Sequence, residues 1–149
     1  MPRHDETRHV RFTALQMFDL VAGVEQYPDF LPWCLGIRVR DRQGDTFLAD
    51  MVIGFKMLRE RYTSRVTLDR DALEIRVAYL DGPFKHLENS WSFKPDPAGG
   101  SLIEFHIEFE FRSKMLQNLI GRMFHEAVRV MVNAFEKRAS ELYPVDILP

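Results

Sequence analysis

The C-terminal segment constrains the fold most. Across residues 114–142, Leu116, Leu119-Ile120, Met123-Phe124, Ala127-Val128, Met131, Ala134-Phe135 and Leu142 recur at helical spacing. Gln117, Arg122, Glu126, Arg129, Asn133, Glu136 and Lys137 fill the opposite side, and Ser113 stands where an N-cap would. At about 1.5 Å per residue this helix would be about 43 Å long. An apolar arc so wide must lie in a groove.

The preceding residues supply one. Between residues 36 and 112 the period drops to two, most clearly in Ile103, Phe105, Ile107, Phe109 and Phe111 interleaved with Glu104, His106, Glu108 and Glu110. The alternation recurs in Tyr62-Ser64-Val66-Leu68, Leu73-Ile75-Val77-Tyr79 and Leu87-Asn89-Trp91-Phe93, taking every second residue. Turn clusters at Gln43-Gly44-Asp45, Asp69-Arg70-Asp71, Asp81-Gly82-Pro83 and Asp96-Pro97-Ala98-Gly99-Gly100 favour hairpins. A meander of five or six antiparallel strands follows.

Upstream, Thr13 can cap a helix over residues 14–22 that Gly23 ends, while Pro28 and Pro32 limit residues 24–33 to one or two turns. A strand over residues 7–12 stands at one sheet edge. This order predicts an α+β helix-grip fold, a curved antiparallel sheet with two short helices closed over one long C-terminal helix. At 149 residues and 46% hydrophobic side chains it forms a single domain, residues 1–149.

Twenty basic against 22 acidic residues, without a long like-charge run, give no nucleic-acid stripe and no DNA partner. The single cysteine, Cys34, forms no intramolecular disulfide, and the N-terminus lacks a secretory apolar stretch. Charges interrupt every apolar segment well before the roughly 20 residues a membrane-spanning helix needs. The expectation is a cytoplasmic protein.

No G-x-S-x-G, P-loop, H-E-x-x-H or paired-cysteine spacing occurs. Glu104, His106 and Glu108 share a strand face at metal-ligand spacing, but a solvated outer face accounts for them more simply. The same holds for His125 beside Glu126 on the polar side of the long helix, and His4 and His9 have no recognisable partner. Asn89, Ser64, Tyr62 and Tyr79 alternate onto the apolar face, where each needs a hydrogen-bond partner or a ligand.

Several stretches resemble a known family: Tyr27-Pro28-Asp29-Phe30-Leu31-Pro32-Trp33-Cys34, Asp81-Gly82-Pro83-Phe84-Lys85, Trp91-Ser92-Phe93-Lys94-Pro95 and Phe109-Glu110-Phe111-Arg112-Ser113. In this order and spacing they resemble the coenzyme Q-binding START-domain family of the wider polyketide-cyclase and START superfamily. One branch binds coenzyme Q and supports respiration; the other comprises ribosome association toxins that block subunit joining. Tyr62-Thr63-Ser64-Arg65-Val66, His86-Leu87-Glu88-Asn89 and the stretch from Met131 to Ala139 look closer to the respiratory branch. Mitochondrial members carry a transit peptide, so a start near the first strand suggests a bacterial or mature form.

The resemblance implies a ubiquinone-binding carrier or chaperone supporting respiratory electron transport and coenzyme Q biosynthesis, with no catalytic residue, metal or catalytic cofactor. The alternatives are binding of the large ribosomal subunit and a cyclase-like enzyme acting on an aromatic polyketide. The expected pocket lining is Trp33, Tyr62, Tyr79, Asn89, Trp91, Phe105 and Phe109 from the sheet side and Leu119, Met123 and Met131 from the helix. Rings would stack on a quinone, Met would follow its tail, and Asn89 or Tyr would donate to a carbonyl. A long tail must protrude, at about 0.8 kcal/mol per exposed CH2, which predicts peripheral contact with the inner face of the respiratory membrane. Phe55-Lys56-Met57-Leu58 and Val145-Asp146-Ile147-Leu148 are the expected mouth.

Overall fold

The computed structural model describes residues 3–55 and 58–143, with the side chains of residues 55–58 excluded. Of the expected mouth, Lys56, Met57 and residues 145–148 therefore lie outside the described residues, and Phe55 and Leu58 are described by their backbone alone. Seven antiparallel strands form one sheet: β1 (Arg3–Val10), β2 (Cys34–Gln43), β3 (Thr46–Phe55), β4 (Leu58–Asp69), β5 (Glu74–Asp81), β6 (Phe84–Pro95) and β7 (Ser101–Phe111). Their order is β1-β7-β6-β5-β4-β3-β2, a six-strand meander with β1 added at the β7 edge. The N-terminal strand begins at Arg3 and ends at Val10, where residues 7–12 were expected. Its polar residues pair as a continuous ladder, Arg3 with Glu108 through Val10 with Ser101, because backbone pairing at an edge needs no apolar pattern.

Helix α1 (Ala14–Ala22) opens with a capping box in which the Thr13 hydroxyl accepts from Gln16 N–H and the Gln16 side chain accepts from Thr13 N–H. It buries Met17, Phe18, Leu20 and Val21, with Phe18 edge-on to Phe93 at 6.0 Å between ring centroids. A 3-10 helix, Val24–Asp29, contains Pro28 and turns the chain toward β2.

The C-terminal segment is two helices, α2 (Lys114–Gly121) and α3 (Phe124–Leu142), where one was expected. Met123 adopts φ −115°, ψ 4°, and its N–H bonds to Ile120 O in a 3-10-type turn. Gly121, the least helix-favouring residue of the segment, ends α2. The offset lets Ile120 and Phe124 both bury beneath the break while α3 continues the apolar stripe through Val128, Met131, Val132, Phe135 and Ala139.

Polar contacts fasten α3 over the sheet edge. Arg8 Nη1 donates to Asn133 Oδ1 at 3.0 Å and Glu136 Oε1 at 3.1 Å, and His4 Nδ1 lies 3.1 Å from His125 Nδ1. His4 and His9 do have partners, Glu6 Oε1 for the former and Gly99 O for the latter. Both contacts depend on the β1 and turn geometry, which residue pattern does not carry. The concave face buries Phe47, Ala49, Val66, Ile75, Trp91, Phe93, Ile103 and Phe105 against the helices.

Candidate functional site: an uncharged cavity between sheet and helix

The inward residues of the strands do not close completely on α3. Two adjoining chambers remain, of about 130 Å³ toward α2 and about 100 Å³ toward the 3-10 helix. Trp33, Tyr62, Leu87, Ile107 and Met131 border both. Ile53, Phe84, Phe109, Phe111, Ile120, Phe124, Ala127 and Val128 complete the first, and Tyr27, Leu31, Met51, Ser64, Asn89, Trp91, Phe105 and Phe135 contribute to the second. No lining residue of either chamber is an acid, Lys, Arg or His.

Seven expected lining residues are thus brought together: Trp33, Tyr62, Asn89, Trp91, Phe105, Phe109 and Met131. Three stand elsewhere. Tyr79 packs edge-on against Phe84 at 5.5 Å, and its hydroxyl accepts from Phe84 N–H at 3.1 Å, which ties it to the β5–β6 turn. Leu119 is 41% exposed on α2, and Met123 is half-buried at the helix break. The break displaces the stripe that a continuous helix would have carried, so Ile120 and Phe124 take those places. Ile53, Leu87, Ile107, Ala127 and Val128 were missed although each is an apolar strand or helix-stripe position. Pattern identifies inward faces but not the gaps between them.

Aromatic contacts keep the walls apart. Trp91 meets Phe105 at 4.5 Å and Phe135 at 5.3 Å, while Phe109 meets Phe124 at 4.8 Å. The polar atoms are largely engaged. Asn89 Nδ2 donates to His106 O at 2.9 Å and its Oδ1 accepts from Trp91 Nε1 at 3.3 Å, so Asn89 orients the indole. Tyr62 Oη donates to Met51 Sδ at 3.3 Å, and Tyr27 Oη donates to Val21 O. Trp33 Nε1 is buried without an acceptor among the described residues.

Burial raises both the Tyr27 and Tyr62 phenols well above their ordinary range and pushes the Cys34 thiol up to about 11. At neutral pH these groups are un-ionised, so Cys34 is a poor nucleophile. The arrangement suits holding an apolar molecule, with one indole donor, unpartnered among the described residues, for a polar atom on it.

The Gly82 backbone also shapes this end of the cup. Its φ is +145°, and a Cβ there would lie 2.6 Å from Tyr62 Cβ. The Asp81-Gly82-Pro83 turn thus lets the chain pass closely behind a lining ring.

A sequence profile described as polyketide cyclase/dehydrase and lipid transport matches residues 10–136. The ribosome association toxin RatA of Escherichia coli (strain K12) is 36% identical over 143 residues, 96% of this chain and 90% of that protein. Coenzyme Q-binding protein COQ10 homolog B, mitochondrial, of Xenopus laevis is 34% identical over 144 residues, 94% of this chain but 59% of that protein. The solution structure of CC1736 from Caulobacter crescentus superposes with TM-score 0.80 at 38% identity, covering 96% of this chain and 99% of that one. The Zhui aromatase/cyclase of Streptomyces sp. R1128 shares the fold at TM-score 0.81 with 17% identity, over 93% of each chain. Profile, relatives and fold agree: this chain belongs to the polyketide cyclase/dehydrase and lipid transport family, with relatives named both as coenzyme Q-binding proteins and as ribosome association toxins.

Proposed function

We propose that this protein carries an isoprenoid quinone, or a similar apolar molecule with a polar ring, held ring-first between the sheet and α3 and released unchanged. The uncharged, aromatic-walled cavity, with Trp33 Nε1 unpartnered among the described residues, carries this reading. A quinone carbonyl would supply the missing acceptor, and buried donors are rarely left without one. Each chamber is comparable to the engineered cavity of about 150 Å³ that binds benzene, so a ring suits it and a long tail does not. The tail would run out beside α2, where Met115 is 76% and Leu119 41% exposed between Lys114 and Arg122. That apolar strip with basic flanks fits peripheral contact with an anionic bilayer. Among the described residues no helix is long and apolar enough to cross a membrane.

A cyclase-like reaction has less support, since the lining offers no charged acid-base pair. A second reading, binding to the ribosome through the protein surface, is favoured by the toxin relatives at 36% identity.

Organic extraction of protein purified from a quinone-producing host, followed by mass spectrometry, tests the carrier reading. Near-stoichiometric quinone supports it. Protein that stays empty after incubation with ubiquinone vesicles, yet co-sediments with ribosomal subunits, replaces it with the second reading.

A further inference from the structure

The convex face of β6 and β7 gathers metal-ligating side chains remote in role from the cavity. His86, Glu88 and Glu108 each offer a ligand atom, all within 4.8 Å of one another. His86 Nε2 lies 2.8 Å from Glu108 Oε1 and 3.9 Å from Glu88 Oε2. The other Glu108 oxygen is 3.5 Å from His106 Nε2, and His106 Nδ1 is 2.5 Å from Asp5 Oδ1.

Two features distinguish this group from the solvated face expected for His106 and Glu108. Glu88 and Glu108 are direct cross-strand partners, a placement of like charges that destabilises a strand pair unless something positive lies between them. Asp5 holds His106 through Nδ1, and in the tautomer with the proton there, Nε2 keeps its lone pair toward Glu108. A carboxylate behind a histidine whose other nitrogen faces the ligand group is the usual second layer of a metal site. Ala78 is the β5 partner of Glu88, and its small side chain leaves the carboxylates accessible.

We propose that His86, Glu88 and Glu108, joined by His106 through Nε2, bind a zinc-class divalent cation on the convex face. Nitrogen and oxygen ligands at about 2.0–2.2 Å from tetrahedral zinc lie roughly 3.3 Å apart. The separations of 2.8 and 3.9 Å from His86 Nε2 to the two glutamates bracket that value, and these three ligand atoms lie within 4.8 Å of one another; His106 Nε2, 3.5 Å from the other Glu108 oxygen, would swing toward them to join as the fourth ligand. The cation would neutralise both opposed glutamates and pin β6 to β7 behind the Leu87–Phe109 and Asn89–Ile107 pairs.

The full chain, treated with EDTA and dialysed, is titrated with zinc chloride in a calorimeter and a thermal melt. About one equivalent should bind, and a hundredfold excess over Kd should raise the midpoint by roughly 5 °C or more. His86→Asn and Glu108→Gln should each weaken zinc roughly tenfold or more, while His125→Asn, in the other histidine pair, leaves affinity unchanged. No stoichiometric binding by the unaltered protein, or equal affinity in His86→Asn, overturns the site. If either variant fails to fold, histidine nitrogen shifts in the unaltered protein decide. Changes at His86 and His106 on adding zinc support the site; changes confined to other histidines overturn it.

Discussion

At the scale of single residues, Asn89 and Asp50 illustrate two ways a polar group can be fixed in a mostly apolar sheet. Asn89 alternates inward, which suggests a ligand contact, but its amide bridges His106 O and Trp91 Nε1. Asn89→Leu leaves the indole N–H, on a ring only 6% exposed, without its acceptor. Unfolding free energy in urea should fall by about 1–3 kcal/mol, and quinone binding should weaken with it through the displaced Trp91 ring; an unchanged urea midpoint would reject this positioning role. Asp50 accepts from Arg40 at 2.8 Å, Thr63 at 2.6 Å and Arg38 at 3.0 Å. The Arg40 bond, then that of Thr63, holds its carboxyl well below the usual carboxylate range. Because the folded pKa is depressed, the stabilisation is complete above the unfolded value of about 3.9 and fades as pH falls toward the folded value. The stability gap between the unaltered protein and Asp50→Asn should therefore be level from neutral pH to about 5 and narrow through lower pH. A gap as wide at pH 3 as at pH 7 would contradict the ion-pair account.

At the scale of elements, strands were legible where one face is apolar and the other wet. β7 carries that alternation through its whole length, β4 from Tyr62 to Leu68 and β6 from Leu87 to Phe93, and the inward positions of these stretches match the buried face. Leu73 is the instructive exception: it continues the β5 pattern but lies in the turn before the strand, at φ 55°, packed on the core by its side chain. β1 was mislocated because Arg3 to His9 alternate only between exposed and half-buried, leaving little hydrophobic period to read. The break between α2 and α3 was hidden for a different reason. A lone Gly is tolerated within many helices, and the apolar spacing runs on across it, so only tertiary packing shows where the axis shifts. Gly121 has no positive φ, and a Cβ there would meet nothing within 4 Å. Gly121→Ala should accordingly stabilise the protein by about 0.5–1 kcal/mol while the Met123 N–H to Ile120 O turn persists. A melting point that drops would mean the glycine serves the break itself, and amide exchange at Met123 would show whether the turn survives.

For the whole molecule, the two functional readings place the working surface differently, and the cavity offers a way to separate them. Sequence could nominate inward residues such as Trp33 and Met131, but cavity volume is the small difference between a large cup and the side chains filling it. Shifts of about 1 Å in wall spacing decide that difference, and residue pattern does not encode them. Ala127 sits on the cavity side of α3 at the chamber of about 130 Å³. Ala127→Leu should fill part of that space from within while leaving the exterior unchanged, and a filled apolar gap gains contacts at little cost when the new side chain fits. Quinone recovered by extraction should fall roughly tenfold, the loss expected if a ring forfeits about 1.4 kcal/mol of its contacts, with the melting point held or raised. If function runs through the cavity, respiration supported by the variant falls with its quinone content. If the surface is what engages the ribosome, co-sedimentation with ribosomal subunits stays the same in the filled variant, and the cavity is then incidental to that activity. A variant that loses quinone yet supports respiration fully would refute the carrier reading, because a side chain inside the cup can reach the outside of the molecule only through what the cup holds.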